Sequence, residues 1–401
     1  MPLVIAVVYN SCADVVRVLQ EPCLAHKPVE TLACEVAVNA AARSHEEVDT
    51  TGEAFHEFDS EETVLRYKEF FEELGHTVHM IPGDCHLPER LAELRAAGTP
   101  VDICWNVSEG FRGLDRESQI PALLEMYGVP YSFGTPLVHA LTLNKAMTKR
   151  IFAFHGIPTP AFQEFTRADE PLDPQLATKF PLFVKPTGEG SGIGVWGKSL
   201  AHNEEELRQL LREMVPIYRP SVLVEEFIPG RDITCGIIGN PRSSGGKGIT
   251  VLEPNELDYE HYSIPDDMLP LKEKEGSLFY GAAIKGHCGD YFQTYCPAHL
   301  PEEVIAEVKR LTVAVYLACG GRDASRVDFR IDTRDGKLRP IVLEINTLPG
   351  MRPDSDLTIC AAGAGLSHKQ LVQSIFAAAC DRYGLDHGLS EEARAKPNTP
   401  Q

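Results

Sequence analysis

The residues with the clearest chemical potential lie on a predicted β-hairpin near the carboxyl end of the chain. Its first strand alternates Arg326 and Asp328 with apolar residues, and its second strand carries Glu344 and Asn346. Because residues two apart share a face of a strand, all four polar groups meet on one surface if the apolar faces pack in the core. Two carboxylates and an amide oxygen are hard ligands that suit Mg²⁺ held partly by substrate phosphates. A solvated hairpin with ordinary surface charges is the alternative.

The rest of the hairpin makes that alternative the weaker one. Its turn is predicted at residues 332–337, where Gly336 can adopt a positive φ. The second strand then runs directly into residues 347–351, a tight turn with exposed backbone amides. The residues predicted on the core face of the second strand are Ile341, Leu343 and Ile345.

A second segment has the character of an anion site. A buried strand predicted at 180–184 delivers Lys185, and the following residues 187–195 are rich in glycine. Glycines let backbone amides turn toward an anion, and the lysine adds a positive charge. The segment is not a P-loop, because no Gly-Lys-Ser/Thr follows the glycines. A flexible hairpin loop is the alternative.

A third segment could recognise a nucleotide base. Strands predicted at 222–226 and 233–238 meet at a short linker. Such a linker can present backbone groups to an adenine edge, and an acidic residue beyond it can bind ribose hydroxyls. An ordinary connection between two strands is the alternative.

The elements that must position these residues begin with an open α/β unit. Strands are predicted at 3–9, 77–81 and 101–106, and their alternation with helices indicates a parallel sheet. Residues 10–58 are predicted to hold one or two helices and a mobile acidic loop at 45–49, and residues 240–280 to form loops, some over the active site. The other helices are predicted at 60–74, 117–127, 143–155, 302–319 and 368–383.

The composition restricts the kinds of partner. The 401 residues suit two or three domains, and a net charge of −20 argues against nucleic-acid and anionic-membrane surfaces. No apolar run reaches the length that crosses a membrane. The 11 cysteines contain no Cys-x-x-Cys pair, which favours reduced thiols in a cytoplasmic protein.

Taken in this order and at these separations, the three segments resemble the ATP-grasp superfamily and, in detail, the D-alanine–D-alanine ligase-like family. The resemblance runs from about Asp102 to Ala379. The matching segments are residues 121–131, 144–149, the Cys296-Pro297-Ala298 turn, residues 326–329 and the highly specific run 343–351.

That resemblance implies an ATP-grasp fold with an amino-terminal Rossmann-like pre-ATP-grasp domain, α/β overall and α+β in the carboxyl-terminal part. The implied divisions are a first domain at 1–140, a central subdomain with the phosphate loop at 141–226, a carboxyl-terminal subdomain at 227–386 and a disordered tail at 387–401.

The resemblance also implies a role for individual residues. Those expected to bind ATP are Lys145 and Lys185 at the phosphates, Glu225, Glu226, Phe227 and Ile228 at adenine, and Asp232 at ribose. Those expected to hold two Mg²⁺ ions, or Mn²⁺, are Asp328, Glu344 and Asn346. The expected catalytic residues are Arg326 and Gly350 at the oxyanion, Ser191 in a closing loop and Lys285 at the γ-phosphate or second carboxylate. The expected substrate residues are Ser355 and Glu109.

The implied activity is ATP-dependent joining of a carboxylate to an amine through an acyl phosphate, with amino acids or carboxylates as substrates and a homodimer as the family's usual assembly. The ATP and metal positions match the family, whereas the loop Ser108-Glu109-Gly110 and the pair Gly286-His287 depart from it. Three functions therefore stay open: a D-alanine–D-alanine ligase or close relative, a ligase for other substrates in natural-product or peptide assembly, and a non-catalytic ATP-binding regulatory module.

Overall fold

The computed structural model of the chain describes residues 2–20, 58–190, 192–195, 199–218, 220–242, 245–258 and 293–390. Several predictions lie outside these ranges. They concern the acidic loop at 45–49, the loops between 259 and 280, Ser191, Lys285 and the tail from residue 391. No helix within the described ranges is both long and apolar enough to span a bilayer.

The amino-terminal part contains a parallel three-stranded sheet, as predicted. Its order within the described residues is β2-β1-β3, and β1 pairs in parallel with both neighbours. Strand β1 is an unbroken apolar run that is buried on both faces, as expected for the centre of a parallel sheet. The elements of this part are β1 Val4–Tyr9, α1 Cys12–Gln20, α2 Glu61–Glu72, β2 Thr77–Pro82, α3 Leu87–Ala96, β3 Ile103–Val107, α4 Gln119–Tyr127 and α5 Pro136–Leu143.

The helix predicted at 143–155 begins two residues later than expected. The Asn144 side chain accepts a hydrogen bond from the Met147 amide and caps a new helix, α6, over Lys145–Phe154. The same residue terminates α5 in an extended conformation. Lys145 consequently occupies the first position of α6, at the end of the helix that faces the glycine-rich loop.

A small antiparallel sheet follows, in the order β4-β7-β5-β6. Helix α7 covers it, and the buried face of α7, including Leu207 and Leu211, packs against Leu182 and Val184 of β5. The elements are β4 Phe162–Phe165, β5 Leu182–Pro186, β6 Leu200–Ala201, α7 Glu204–Met214 and β7 Val222–Glu226.

The largest sheet is antiparallel and has the order β11-β10-β8-β12-β13, with β9 also pairing with β8. Strands β9 and β10 lie where loops were predicted, and that prediction was wrong for them. Both are four-residue strands in a glycine-rich and charged stretch, and their pairing with β8 defines them rather than any pattern of their own. The elements are β8 Gly230–Asn240, β9 Gly248–Val251, β10 Asn255–Asp258, β11 Gln293–Tyr295, α8 Glu302–Ala318, β12 Ala324–Asp332, β13 Arg339–Asn346, α9 Asp356–Gly363 and α10 His368–Tyr383.

Helices cover both faces of this sheet. Apolar residues of α8 pack with Val327 and Phe329 on one face. On the other, α9 and α10 pack in a core that also contains β1, β3 and α2. Trp105 of β3 and Phe376 of α10 lie with ring centroids 6.4 Å apart in that core. The first sheet therefore shares one hydrophobic core with the last helix of the chain.

Candidate active site

An open cleft of about 900 Å³ lies between the small sheet and the large sheet. Strands β5 and β7 form one wall, and β8, β12 and β13 form the other. The predicted site residues that line it are Lys145, Lys185, Glu225, Glu226, Phe227, Ile228, Asp232, Asp328 and Glu344. Residues from four separate segments of the chain, namely α6, β5, the β7–β8 connection and the hairpin, therefore converge in one place.

The hairpin places its polar residues as predicted at the end nearest the cleft. Arg326 pairs with Asn346 and Asp328 with Glu344 in the antiparallel register of β12 and β13. Each pair therefore lies side by side on one face.

The prediction for the core face of β13 was wrong in part. After Asp328 pairs with Glu344, Phe329 pairs with Val342, so Leu343 is the extra residue of a β-bulge. The bulge shifts the alternation by one position. Val342 and Ile345 consequently enter the core, while Leu343 joins Glu344 in the lining of the cleft.

The donor atoms on this face fit a divalent cation of the Mg²⁺ type. Asp328 accepts a hydrogen bond from the Thr234 hydroxyl at 2.8 Å, and the Asn346 amide oxygen accepts one from the Leu348 amide at 3.0 Å. These contacts fix the directions of an aspartate and an amide beside the Glu344 carboxylate. No cluster of three or more His, Cys, Asp and Glu side chains suited to a metal occurs within the described ranges. Two carboxylates and one amide fit an ion whose remaining ligands are phosphate oxygens and water.

Two lysines face these carboxylates from the opposite wall. The ammonium of Lys145 lies 3.8 Å from Glu344, and that of Lys185 lies 3.9 Å from the same carboxylate oxygen. The Lys145 amide donates to the Thr187 carbonyl at 2.9 Å, and its ammonium donates to the Glu189 carbonyl. Helix α6 and the glycine-rich loop are thus joined at the place predicted for the phosphates.

Glu225 makes contacts that the sequence did not predict. Its carboxylate is buried, 2.7 Å from the Lys185 ammonium and 2.8 Å from that of Lys149. Burial favours a raised pKa for Glu225, but the two lysines outweigh that effect and lower it. Burial alone would lower the pKa of Lys185, but Glu225 and Glu344 reverse the effect and raise it. Glu225 therefore holds two lysines, whereas the predicted role was at adenine.

The residues predicted near adenine and ribose form the far end of the cleft. The Phe227 ring stacks against Phe183 with centroids 6.3 Å apart, and the Arg330 guanidinium lies 5.0 Å from the Phe227 centroid. Arg330 also pairs with the Asp232 carboxylate at 3.3 Å. Glu226 forms ion pairs with Arg334 and with Lys179. The position of Arg330 at Asp232 follows from the pairing of β12 with β8.

The residues predicted for the oxyanion lie beside the hairpin face that carries Asp328, Glu344 and Asn346. We call this face the metal face, after the ions predicted there. The Arg326 guanidinium is 2.9 Å from Asp328 and 3.4 Å from Asp356. Burial favours a lower pKa for Arg326, but these two carboxylates raise it, so the guanidinium stays charged. A Cβ added to Gly350 would lie 3.5 Å from the Ser355 hydroxyl, so these two predicted residues are neighbours.

Glu109 lies apart from the cleft lining, in the loop after β3. The neighbouring loops are joined by Asn10, whose side-chain oxygen accepts from the Ser108 hydroxyl at 2.6 Å and the Gly110 amide at 2.9 Å. The Asn10 amide group donates to the Gly83 carbonyl at 3.0 Å. Beside these loops lies a second cavity of about 630 Å³, lined by Gly83, Asp84, Cys85, Gly110, Phe111, Arg112, Gln119, Ile120 and Leu123.

One buried arginine joins this amino-terminal region to the glycine-rich loop beside the cleft. Arg116 follows the loop after β3 and is only 1% exposed. It donates to the Gly188 carbonyl at 2.8 Å and lies 3.5 Å from the Glu189 carboxylate. This contact could not be predicted from the sequence, because it joins two segments that are distant along the chain.

Comparison with known proteins agrees with this architecture. The family model described as "D-ala D-ala ligase C-terminus" matches residues 151–377. An uncharacterised protein of Sinorhizobium fredii is 33% identical, with 78% of this chain and 85% of that protein aligned. The D-alanine–D-alanine ligase of Delftia acidovorans is 31% identical over 76% of this chain and 82% of the relative. A crystal structure of the Bacillus anthracis D-alanine–D-alanine ligase complexed with ATP superposes with a TM-score of 0.63 at 21% identity, covering 96% of this chain and 99% of that one.

The fold and the cleft between its two antiparallel sheets are those of the ATP-grasp class. Within that class, the chain belongs to the D-alanine–D-alanine ligase family. The predicted fold class and family are both confirmed.

Proposed function

We propose that the protein is an ADP-forming carboxylate–amine ligase that joins two amino acids, with D-alanine or a close relative as the substrate. The observation that carries the proposal is the meeting of Asp328 and Glu344 with Lys145 and Lys185 across one cleft. Opposed carboxylates and lysines at this spacing are suited to a metal-bound polyphosphate, because cations then surround the charge of the transferring phosphoryl group.

The chain's own residues would divide the chemistry as follows. Mg²⁺ would be held by Asp328, Glu344 and Asn346. The bound ion would neutralise phosphate charge and polarise the γ-phosphate. Lys145 and Lys185 would orient the phosphates while a substrate carboxylate attacks the γ-phosphorus and ADP leaves.

The second step joins the acyl phosphate to an amine. The neutral amine attacks the acyl carbon, and the oxyanion that develops is stabilised by Arg326 and the Gly350 amide. Phosphate then leaves and the amide forms. Asp328 and Asp356 hold the Arg326 side chain in place for this step.

Four finer points belong to the same proposal. Two metal ions fit the two carboxylates and the amide, and Mn²⁺ would satisfy the same oxygen ligands. A cytoplasmic location suits an enzyme that consumes ATP. Homodimerisation and a role in making peptidoglycan precursors follow from the family. A product with two joined D-alanine residues would support that last assignment.

A ligase for other amino acids is the second candidate, and one region favours it. The loop after β3 carries Ser108, Glu109 and Gly110 where the family tends to have His-Gly, and Asn10 fixes this loop to the neighbouring strand ends. Open α/β sheets bind ligands at the carboxyl ends of their strands, which is where the cavity beside this loop lies. Different groups at this place would select a different amino acid.

The deciding experiment measures phosphate release from ATP and Mg²⁺, first with D-alanine and then with a panel of L- and D-amino acids, with the product identified by mass. Saturable release with D-alanine and formation of a dipeptide would establish the first candidate. Release only with another pair would establish the second. No release with any substrate, despite ATP binding, would contradict both and leave the regulatory module.

A further inference from the structure

A lysine outside the cleft lining forms one end of a series of buried ionic contacts. Lys149 lies one turn after Lys145 on α6, and its side chain is 0% exposed. Its ammonium lies 2.8 Å from one oxygen of Glu225 and donates to the Thr159 hydroxyl at 2.9 Å. A fully buried lysine is rare unless it is paired, so these contacts account for its presence.

The contacts continue from Lys149 to the metal face. The other oxygen of Glu225 lies 2.7 Å from the Lys185 ammonium. Lys185 in turn lies 3.9 Å from Glu344. Lys149 is not among the residues that line the cleft, so a ligand would feel it only through Glu225 and Lys185.

The balance of charge in this group depends on Lys149. Lys145, Lys149 and Lys185 carry three positive charges, and Glu225 and Glu344 carry two negative charges, so the sum is +1. Removing Lys149 would bring the sum to zero. It would also leave Lys185 alone to balance the buried Glu225 carboxylate that the two lysines now share, and both effects weaken attraction for a phosphate.

We propose that Lys149 is a positioning residue that neutralises Glu225, so that the charge of Lys185 stays available to the phosphates of ATP. The inference rests on the proposed ATP-dependent function and adds to it a residue that acts through another. Thr159 accepts a hydrogen bond from the ammonium and contributes no charge.

The test measures the Kd of Mg–ATP by calorimetric titration of the full-length protein, without an amino acid present. Lys149→Met should weaken binding by about 10-fold or more, since buried charge pairs have large coupling energies. Glu225→Gln raises the charge sum to +2 and serves as a second background, in which any contact of Glu225 with adenine is changed equally with and without Lys149. In that background Lys149→Met should weaken binding by less than about 3-fold, a non-additivity expected of residues in contact.

Thr159→Val is the matched control, because it removes the neutral contact to Lys149 and keeps every charge. Its Kd should stay within about 3-fold of the wild type. If Lys149→Met fails to fold, Lys149→Gln takes its place in both backgrounds. A loss of binding confined to the wild-type background supports the inference, and an equal loss in both backgrounds overturns it.

The remaining outcomes separate this inference from the proposed function. A folded Lys149→Met protein with the wild-type Kd overturns the role of Lys149 and leaves the ligase proposal intact. Wild-type binding of Mg–ATP with no turnover on any amino acid overturns the ligase proposal, while the expected order of Kd values would still support the role of Lys149. A wild-type protein that does not bind Mg–ATP overturns both.

Discussion

The cleft between the small and the large sheet and the region around Asn10 are built in different ways. In the cleft, charged side chains project from regular strands and pair across two sheets, as Lys185 does with Glu344. Around Asn10, uncharged groups of three loops are fixed by short hydrogen bonds at the ends of parallel strands. Strand geometry fixes direction within narrow limits, whereas loops accept changes of length and residue type. We therefore expect the sheets to set the chemistry and the loops to set the choice of substrate.

The largest effect should come from the metal face. Glu344→Gln removes a charge without changing size, so we expect kcat to fall on the order of 10³-fold while the fold is kept, because metal contributions amount to several kcal/mol. The measurement is steady-state ADP release, with circular dichroism as the check on folding. Asp335→Asn, an exposed acid in the turn of the same hairpin, is the control. Wild-type rates in Glu344→Gln would contradict the metal assignment.

A somewhat smaller effect is expected at the oxyanion position. Arg326→Lys keeps the charge but loses the forked geometry that pairs with Asp328 and Asp356. We expect kcat to fall roughly 10²-fold with the KM for ATP little changed, since a lost oxyanion donor acts on the transition state. Arg339→Lys, on the exposed part of the hairpin, is the matched control. A loss confined to KM would assign Arg326 to binding instead.

Loss of the Arg116 contact, which joins the amino-terminal region to the glycine-rich loop, should have a moderate effect. Arg116→Met removes the buried donor to Gly188 and the partner of Glu189, so we expect the KM for ATP to rise about 10-fold, the usual scale for a hydrogen bond to a charged group. Arg150→Met, at an exposed ion pair, is the control. An unchanged KM would mean that the glycine-rich loop keeps its position without the amino-terminal region.

The smallest effect is expected at the loop after β3, which carries Glu109. This variant tests most directly whether that loop acts on the amino acid while the cleft acts on ATP. Glu109→Gln should raise the KM for one amino acid by roughly 5-fold and leave the Kd of Mg–ATP unchanged. The exposed Glu89→Gln in α3 serves as the control. A change in ATP binding instead would place Glu109 on the nucleotide side of the site.

The hairpin shows how far the sequence could predict the site. Period-two alternation was enough to predict that Asp328 and Glu344 share one face of the hairpin, because β-strand geometry leaves few choices. Their direct pairing was found only in the structure. The bulge at Leu343 was not predictable, because an extra residue is absorbed by the pairing of two strands and leaves no mark on either one.

The buried ion pairs could not be predicted from the sequence. Lys149, Arg330 and Arg116 each contact an acid that is far away along the chain, and their own surroundings in the sequence are ordinary. Helix spacing places Lys149 one turn from Lys145, but only the packing of α6 on the small sheet brings it to Glu225. The start of α6 was missed for a simpler reason, since Asn144 is a strong cap that the helical periodicity concealed.

The core shared by the first sheet and α10 affects how the chain folds. The ribosome releases β1, α2 and β3 before α10, and both helices pack against Trp105. Part of the apolar face of the first sheet therefore stays uncovered while the intervening sheets form, a state in which exposed surface favours aggregation or capture by chaperones. The core of the first sheet is completed only when α10 has been made.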